Sequence, residues 1–192
     1  MSSVATIKRN IIPPHLEVKG GRPLSGVLKV SGAKNSSLAL MAASLLTKEK
    51  LLIKNVPQLT DIEVMSEILR NLGAKLTKTN NSIEINSESI HNVELPYQLV
   101  HSLRASFFCV GPLLTRLGEA KIPLPGGCNI GARPVDEHIN GLKALGAEVE
   151  VINDVVKAQV STKDKRLRGA NITLKYPSVG ATETILMASC LA

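Results

Sequence analysis

Residues 125–136 read PGGCNIGARPVD, a cysteine between two glycine clusters with an arginine and an aspartate close behind. A thiol on a loop beside a cation can be both reachable and tuned in its pKa. Pro125, Gly126 and Gly127 predict an irregular turn and Gly131 a second break, so Cys128 is expected on a loop near Arg133. A lone loop cysteine is equally compatible with a plain structural turn. Behind it, Asp136 and His138 read either as catalysts or as a helix cap and a first-turn residue.

Three further stretches set a polar or cationic residue at a helix start beside small residues. SGAKNSS (31–37) puts Lys34 and Asn35 where a helix begins. Helix N-termini offer free N–H groups and a positive dipole end, both suited to phosphate or carboxylate. An ordinary cap with a solvated lysine is the alternative. LRASFF (103–108) carries Arg104, either a ligand-facing cation or a surface residue snorkelling off its helix. SVGAT (178–182) carries Gly180, which permits close ligand approach or simply turns loop into helix. The sequence holds no GxGxxG, GxSxG, HExxH or Walker lysine loop.

The elements that must position these residues are legible through a repeat. ILRNLGAKLTKTNNSIEI (68–85) and GLKALGAEVEVINDVVKA (141–158) each read as a helix closed by LGA, a strand, a polar turn and a second strand. LMAASLL (40–46) is echoed by LMASCLA (186–192) at twice the spacing of Gly73 and Gly146, and LLTKEKLLIKNVP (45–57) by LLTRLGEAKIPLP (113–125) at a shorter one. Such a period indicates one supersecondary unit used several times. First helices are predicted at 36–47, 98–116 and 181–192, and second helices at 61–72 and 135–145. Strands are predicted near 26–31, 51–55, 74–78, 82–86, 147–152, 155–160 and 170–174. The class is α/β with amphipathic strands rather than the long apolar strands of a doubly wound sheet. The last helix has no closing signal, so the chain is expected to stop within a third unit. HLEVKGGRPLSGVLKVSG (15–32) reads as two strands around a glycine-rich turn.

Composition narrows the function classes. Of 192 residues, 44% are apolar and only 2% aromatic, which suits a Leu/Ile/Val/Ala core of helix-on-sheet layers. The net charge of +7 comes without a dense Lys/Arg tract and without the aromatic platforms of single-strand binders. Phosphate-bearing small molecules are therefore favoured over nucleic acid, and a basic nucleic-acid-binding module is the reading from another class. Three cysteines without CxxC spacing and four scattered histidines indicate neither a disulfide framework nor a metal site. No apolar run of spanning length and no secretory leader is present, so a cytoplasmic protein is expected.

Taken in order, SGAKN, LRAS, PGGCNIGARPVDEH and PSVGAT resemble the UDP-N-acetylglucosamine enolpyruvyl transferases of peptidoglycan synthesis, from about residue 15 to 192. The cysteine loop is the most specific element. LGA and VGAT are shared with the sister enzymes that act on 3-phosphoshikimate, the runner-up reading. The resemblance implies an inside-out α/β barrel of repeated strand–helix units. Residues 1–33 would supply strands to a second domain, and 34–192 an incomplete first domain, the C-terminal half being the missing partner.

It also implies phosphoenolpyruvate and UDP-N-acetylglucosamine as substrates, with no cofactor, nucleic acid or membrane. Lys34 and Asn35 match the pair that meets phosphoenolpyruvate, and Arg104 a substrate-site arginine. Cys128 matches the mobile-loop proton donor alkylated by fosfomycin. Arg133, Pro134, Val135, Asp136, Glu137 and His138 match the uridine-nucleotide and phosphate stretch, and Ser178, Val179 and Gly180 another nucleotide contact. Two departures stand out. Phe108 replaces a tryptophan common in the family, and Tyr176 replaces a nucleotide-binding lysine, with Lys175 one step further back. Cys109 and Cys190 lie in apolar helical runs and are expected to be inert.

Overall fold

A computed structural model describes residues 15–125, 134–162, 164 and 166–192. Compactness divides the chain into residues 1–30 and 31–192. In the first unit, described from His15, there is no helix or strand, against the two strands expected there. Leu16, Val18, Leu24, Val27, Leu28 and Val30 are all exposed. Without a ladder neighbour an extended segment can satisfy its backbone only with water, which leaves irregular chain.

The second unit is a helix–strand–helix–hairpin module used twice. α1 (Lys34–Ala43) leads into β1 (Lys50–Lys54), then α2 (Thr60–Asn71) and the hairpin β2 (Lys75–Thr79)–β3 (Ser82–Asn86). After α3 (Tyr97–Ser102) the module recurs: α4 (Val110–Leu117), β4 (Glu119–Pro123), α5 (Asp136–Ala144) and the hairpin β5 (Glu148–Ile152)–β6 (Val155–Gln159). α6 (Val179–Ser189) begins the motif again. Each module makes a three-stranded antiparallel sheet with its last strand central, β1-β3-β2 and β4-β6-β5.

The equivalence extends to single hydrogen bonds. Gly73 donates to Arg70 O and Ala74 to Leu69 O, while Gly146 donates to Lys143 O and Ala147 to Leu142 O. Both glycines sit at positive φ, +102° and +89°, so LGA is a left-handed helix closure in each copy. The two-residue turn at Asn153-Asp154, with φ of 50° and 58°, is the left-handed kind that hairpins favour.

Three expectations about elements need correction. The helix foreseen over 98–116 is three pieces, α3, a 3-10 segment Arg104–Cys109, and α4. Leu103 is extended (φ −138°, ψ 103°), and Pro112 cannot sit inside a continuous helix but is accommodated in the first turn of α4. β4 was not foreseen. Residues 170–174 form no strand; the chain there is anchored instead by Arg168 N–H on Leu145 O and Lys175 N–H on the Glu137 carboxylate.

One apolar cluster, including Met41, Leu45, Met65, Ile68, Leu113 and Ile122, joins both modules. Arg116 ties them as well. Its guanidinium donates to Leu45 O (3.0 Å), Thr47 O (3.0 Å) and Ser87 O (2.8 Å). α4 meets α6 so closely that a Cβ on Gly111 would lie 2.6 Å from Thr184 O. Cys109 is buried as expected, but Cys190, just past the end of α6, is exposed. Among the described residues no helix is long and apolar enough to cross a membrane, and no cluster of His, Cys, Asp and Glu could hold a metal ion.

Candidate active site

The repeat sets the starts of α1, the 3-10 segment before α4, and α6 around one cavity of about 490 Å³. Asn35 comes from the first, Arg104 from the second, and Ser178, Val179 and Gly180 from the third. Pro134, Val135 and His138 enter from the start of α5. The N-terminal ends of α1 and α6 thus face shared space, a setting that favours anions. α1 has no side-chain cap on its free N–H groups, whereas Ser178 caps α6 by accepting from Ala181 N at 3.2 Å.

His138 is 5% exposed and tightly fixed. Its Nδ1 lies 3.0 Å from Thr184 Oγ1 on α6, and Phe107 packs edge-on with ring centroids 4.7 Å apart. Burial pushes the imidazole down to about 4, the Arg104 charge adds to this, and Asp136 pulls the other way. The ring is therefore neutral at neutral pH. Gly180 lies against it, since a Cβ there would sit 3.3 Å from His138 Cε1. Arg104 also reaches Pro134 O at 3.4 Å, linking the 3-10 segment to the entry of α5.

The remaining expected residues lie around this cavity or outside the description. Lys34 is not in the lining; its Nζ is 2.6 Å from Asp61 Oδ2 at the start of α2. Asp136 accepts a hydrogen bond from the Tyr176 hydroxyl. That bond is the main cause holding the aspartate below the usual carboxylate range, and it pushes the tyrosine up to about 12. Glu137 is 2% exposed and braces the fold, accepting from Lys175 N (2.7 Å) and Asn140 Nδ2 (3.1 Å). Cys128 and Arg133 lie outside the described residues.

Sequence reasoning did not foresee Leu38, Ala105, Phe107 and Glu183 in the lining, and it left Tyr176 open. Burial raises the Glu183 carboxyl. Nothing in a helical run marks which face will meet a cavity, so only the repeat's registration of helix starts could have found them.

Residues 18–192 match the family described as EPSP synthase (3-phosphoshikimate 1-carboxyvinyltransferase). The chain belongs to that family. Two relatives from Prochlorococcus marinus, strains NATL2A and NATL1A, are 96% identical over all 192 residues, and each is named UDP-N-acetylglucosamine 1-carboxyvinyltransferase. A relative from strain MIT 9313 with the same name is 57% identical over 192 residues. The chain spans 42% of the length of the two 96% relatives.

The fold is that of the solved enolpyruvyl transferases. The enolpyruvyl transferase NikO of Streptomyces tendae superposes with a TM-score of 0.71 at 23% identity, over 88% of this chain and 39% of that one. EPSP synthase from Acinetobacter baumannii gives 0.66 at 16% identity, over 87% and 38%.

Proposed function

We propose that the chain is the N-terminal part of a UDP-N-acetylglucosamine 1-carboxyvinyltransferase. That enzyme moves the enolpyruvyl group of phosphoenolpyruvate to the sugar 3-hydroxyl and releases phosphate. The 96% identity to relatives of that name across the whole chain carries the reading. In the reaction the hydroxyl oxygen bonds to C2 of phosphoenolpyruvate while C3 takes a proton. The resulting ketal then loses a C3 proton and phosphate, restoring the double bond on the sugar. Cations must cover carboxylate and phosphate, an acid must reach C3, and a base must relieve the hydroxyl.

In this reading Lys34, Asn35 and Arg133 meet phosphoenolpyruvate, and Cys128 supplies the C3 proton, which requires its thiol to be protonated at working pH. Arg104, the 133–138 stretch and Ser178–Gly180 hold the UDP-sugar. The base is expected to be an aspartate from the remainder of the enzyme, and the site of action to be the cytoplasm, where phosphoenolpyruvate is made.

The test is a full-length chimera in which this chain is continued by the rest of the NATL2A relative. Phosphate release should need both phosphoenolpyruvate and UDP-N-acetylglucosamine. Turnover with 3-phosphoshikimate instead would move the chain to the sister activity that the family's description names.

A further inference from the structure

Lys34 and Asn35 are adjacent, yet they part company in the structure. Asn35 lines the cavity, while the Lys34 ammonium is drawn to the Asp61 carboxylate at 2.6 Å. Lys34 is the first residue of α1 and Asp61 lies in the first turn of α2, so the pair bridges the starts of two packed helices. The side chains are 45% and 34% exposed. With Lys34 exposed and Asp61 partly so, the pair is open to a ligand. An ammonium has three donors and Asp61 engages one, leaving two for an anion at the uncapped start of α1.

We propose that Asp61 is a positioning residue that holds the Lys34 ammonium at the start of α1, next in sequence to cavity-lining Asn35, for the anionic donor substrate. Lysine's long stem otherwise samples many rotamers, and fixing it beforehand lowers the ordering loss on binding. Asp61 has a second favourable interaction, with the positive end of α2, so its own place does not depend on the lysine. The proposal deepens the function given above and rests on it for the identity of the donor, phosphoenolpyruvate.

The experiment uses the full-length chimera with Asp61→Asn, Asp61→Glu, Lys34→Ala and the double variant Lys34→Ala/Asp61→Asn. Asp61→Asn should raise the KM for phosphoenolpyruvate about fivefold, the upper end for such a pair, with the KM for UDP-N-acetylglucosamine and the melting temperature little changed. Asp61→Glu should recover part of the loss, and Asp61→Asn should add nothing once Lys34 is alanine. An equal effect of Asp61→Asn with and without Lys34, or an unchanged KM for phosphoenolpyruvate, overturns the proposal. If the chimera turns over no UDP-sugar, the functional reading fails separately. The coupling is then read from the thermal shift that phosphoenolpyruvate alone induces, and a shift indifferent to Asp61, or no shift, overturns it.

Discussion

Acid should weaken this fold through His138, and the size of the effect follows from its burial. The ordinary imidazole value is 6.5, and the folded ring is pushed down to about 4. A base depressed on folding contributes almost no pH dependence above the unfolded pKa. Below it, the unfolded chain takes a proton that the folded chain refuses, and stability falls until pH passes the folded pKa. Between pH 7 and about pH 4.5 this one group should remove about 2.5 kcal/mol, at roughly 1.4 kcal/mol per unit of unmatched titration. Carboxylates such as Asp136, held low by Tyr176, add acid sensitivity of their own, but only at lower pH. The assay is urea unfolding of the 192-residue chain and of His138→Gln at both pH values. The variant loses the Thr184 contact and starts less stable, yet its loss on acidification should be smaller than the wild type's by that amount. NMR titration of the imidazole should show no protonation above about pH 5. Equal acid losses in the two proteins would refute the reasoning.

Gly111→Ala should destabilise by about 1–3 kcal/mol in urea, because its Cβ meets the Thr184 carbonyl and the Ala188 amide of α6, which are backbone and cannot swing aside. Arg116→Met should cost about 2 kcal/mol in the same assay by leaving the carbonyls of Leu45, Thr47 and Ser87 without their donor. Iodoacetamide should label exposed Cys190 in the native chain but leave Cys109, buried with its thiol pushed up to about 12, until unfolding. In the full-length chimera, peptide mapping should place fosfomycin on Cys128 alone, faster with the UDP-sugar present; an adduct on Cys109 or Cys190 instead would remove Cys128 from the mechanism.

What the sequence made legible, it made legible through local chemistry repeated at a fixed spacing. LGA twice closed a helix because glycine alone takes a φ near +100° without strain, and the two closures share their hydrogen bonds. The hairpins followed from polar two-residue turns between alternating strands. Where local signals conflicted, reading failed. EAKIP carries charge at Glu119 and Lys121 and ends in Pro123, so it lacks strand propensity, yet it is β4 because β6 supplies its ladder. Its likeness to LLIKN in the first module was the better guide. Residues 98–116 looked like one apolar helix because periodicity outweighed Pro112, which bars a continuous helix through residue 108, and gave no sign of the extended backbone at Leu103.

The site follows the same division. Asn35, Arg104 and Gly180 stood out as polar, cationic or glycine positions beside small residues near a helix start, and the structure brings all three to one cavity. The Lys34–Asp61 pair had no such signal: 27 positions separate the two, and only the crossing of α1 and α2 brings them to 2.6 Å. Motifs of small and charged residues thus marked segment starts that line one cavity. Which cation is held in place, and by what, depends on packing between helices that no single stretch encodes.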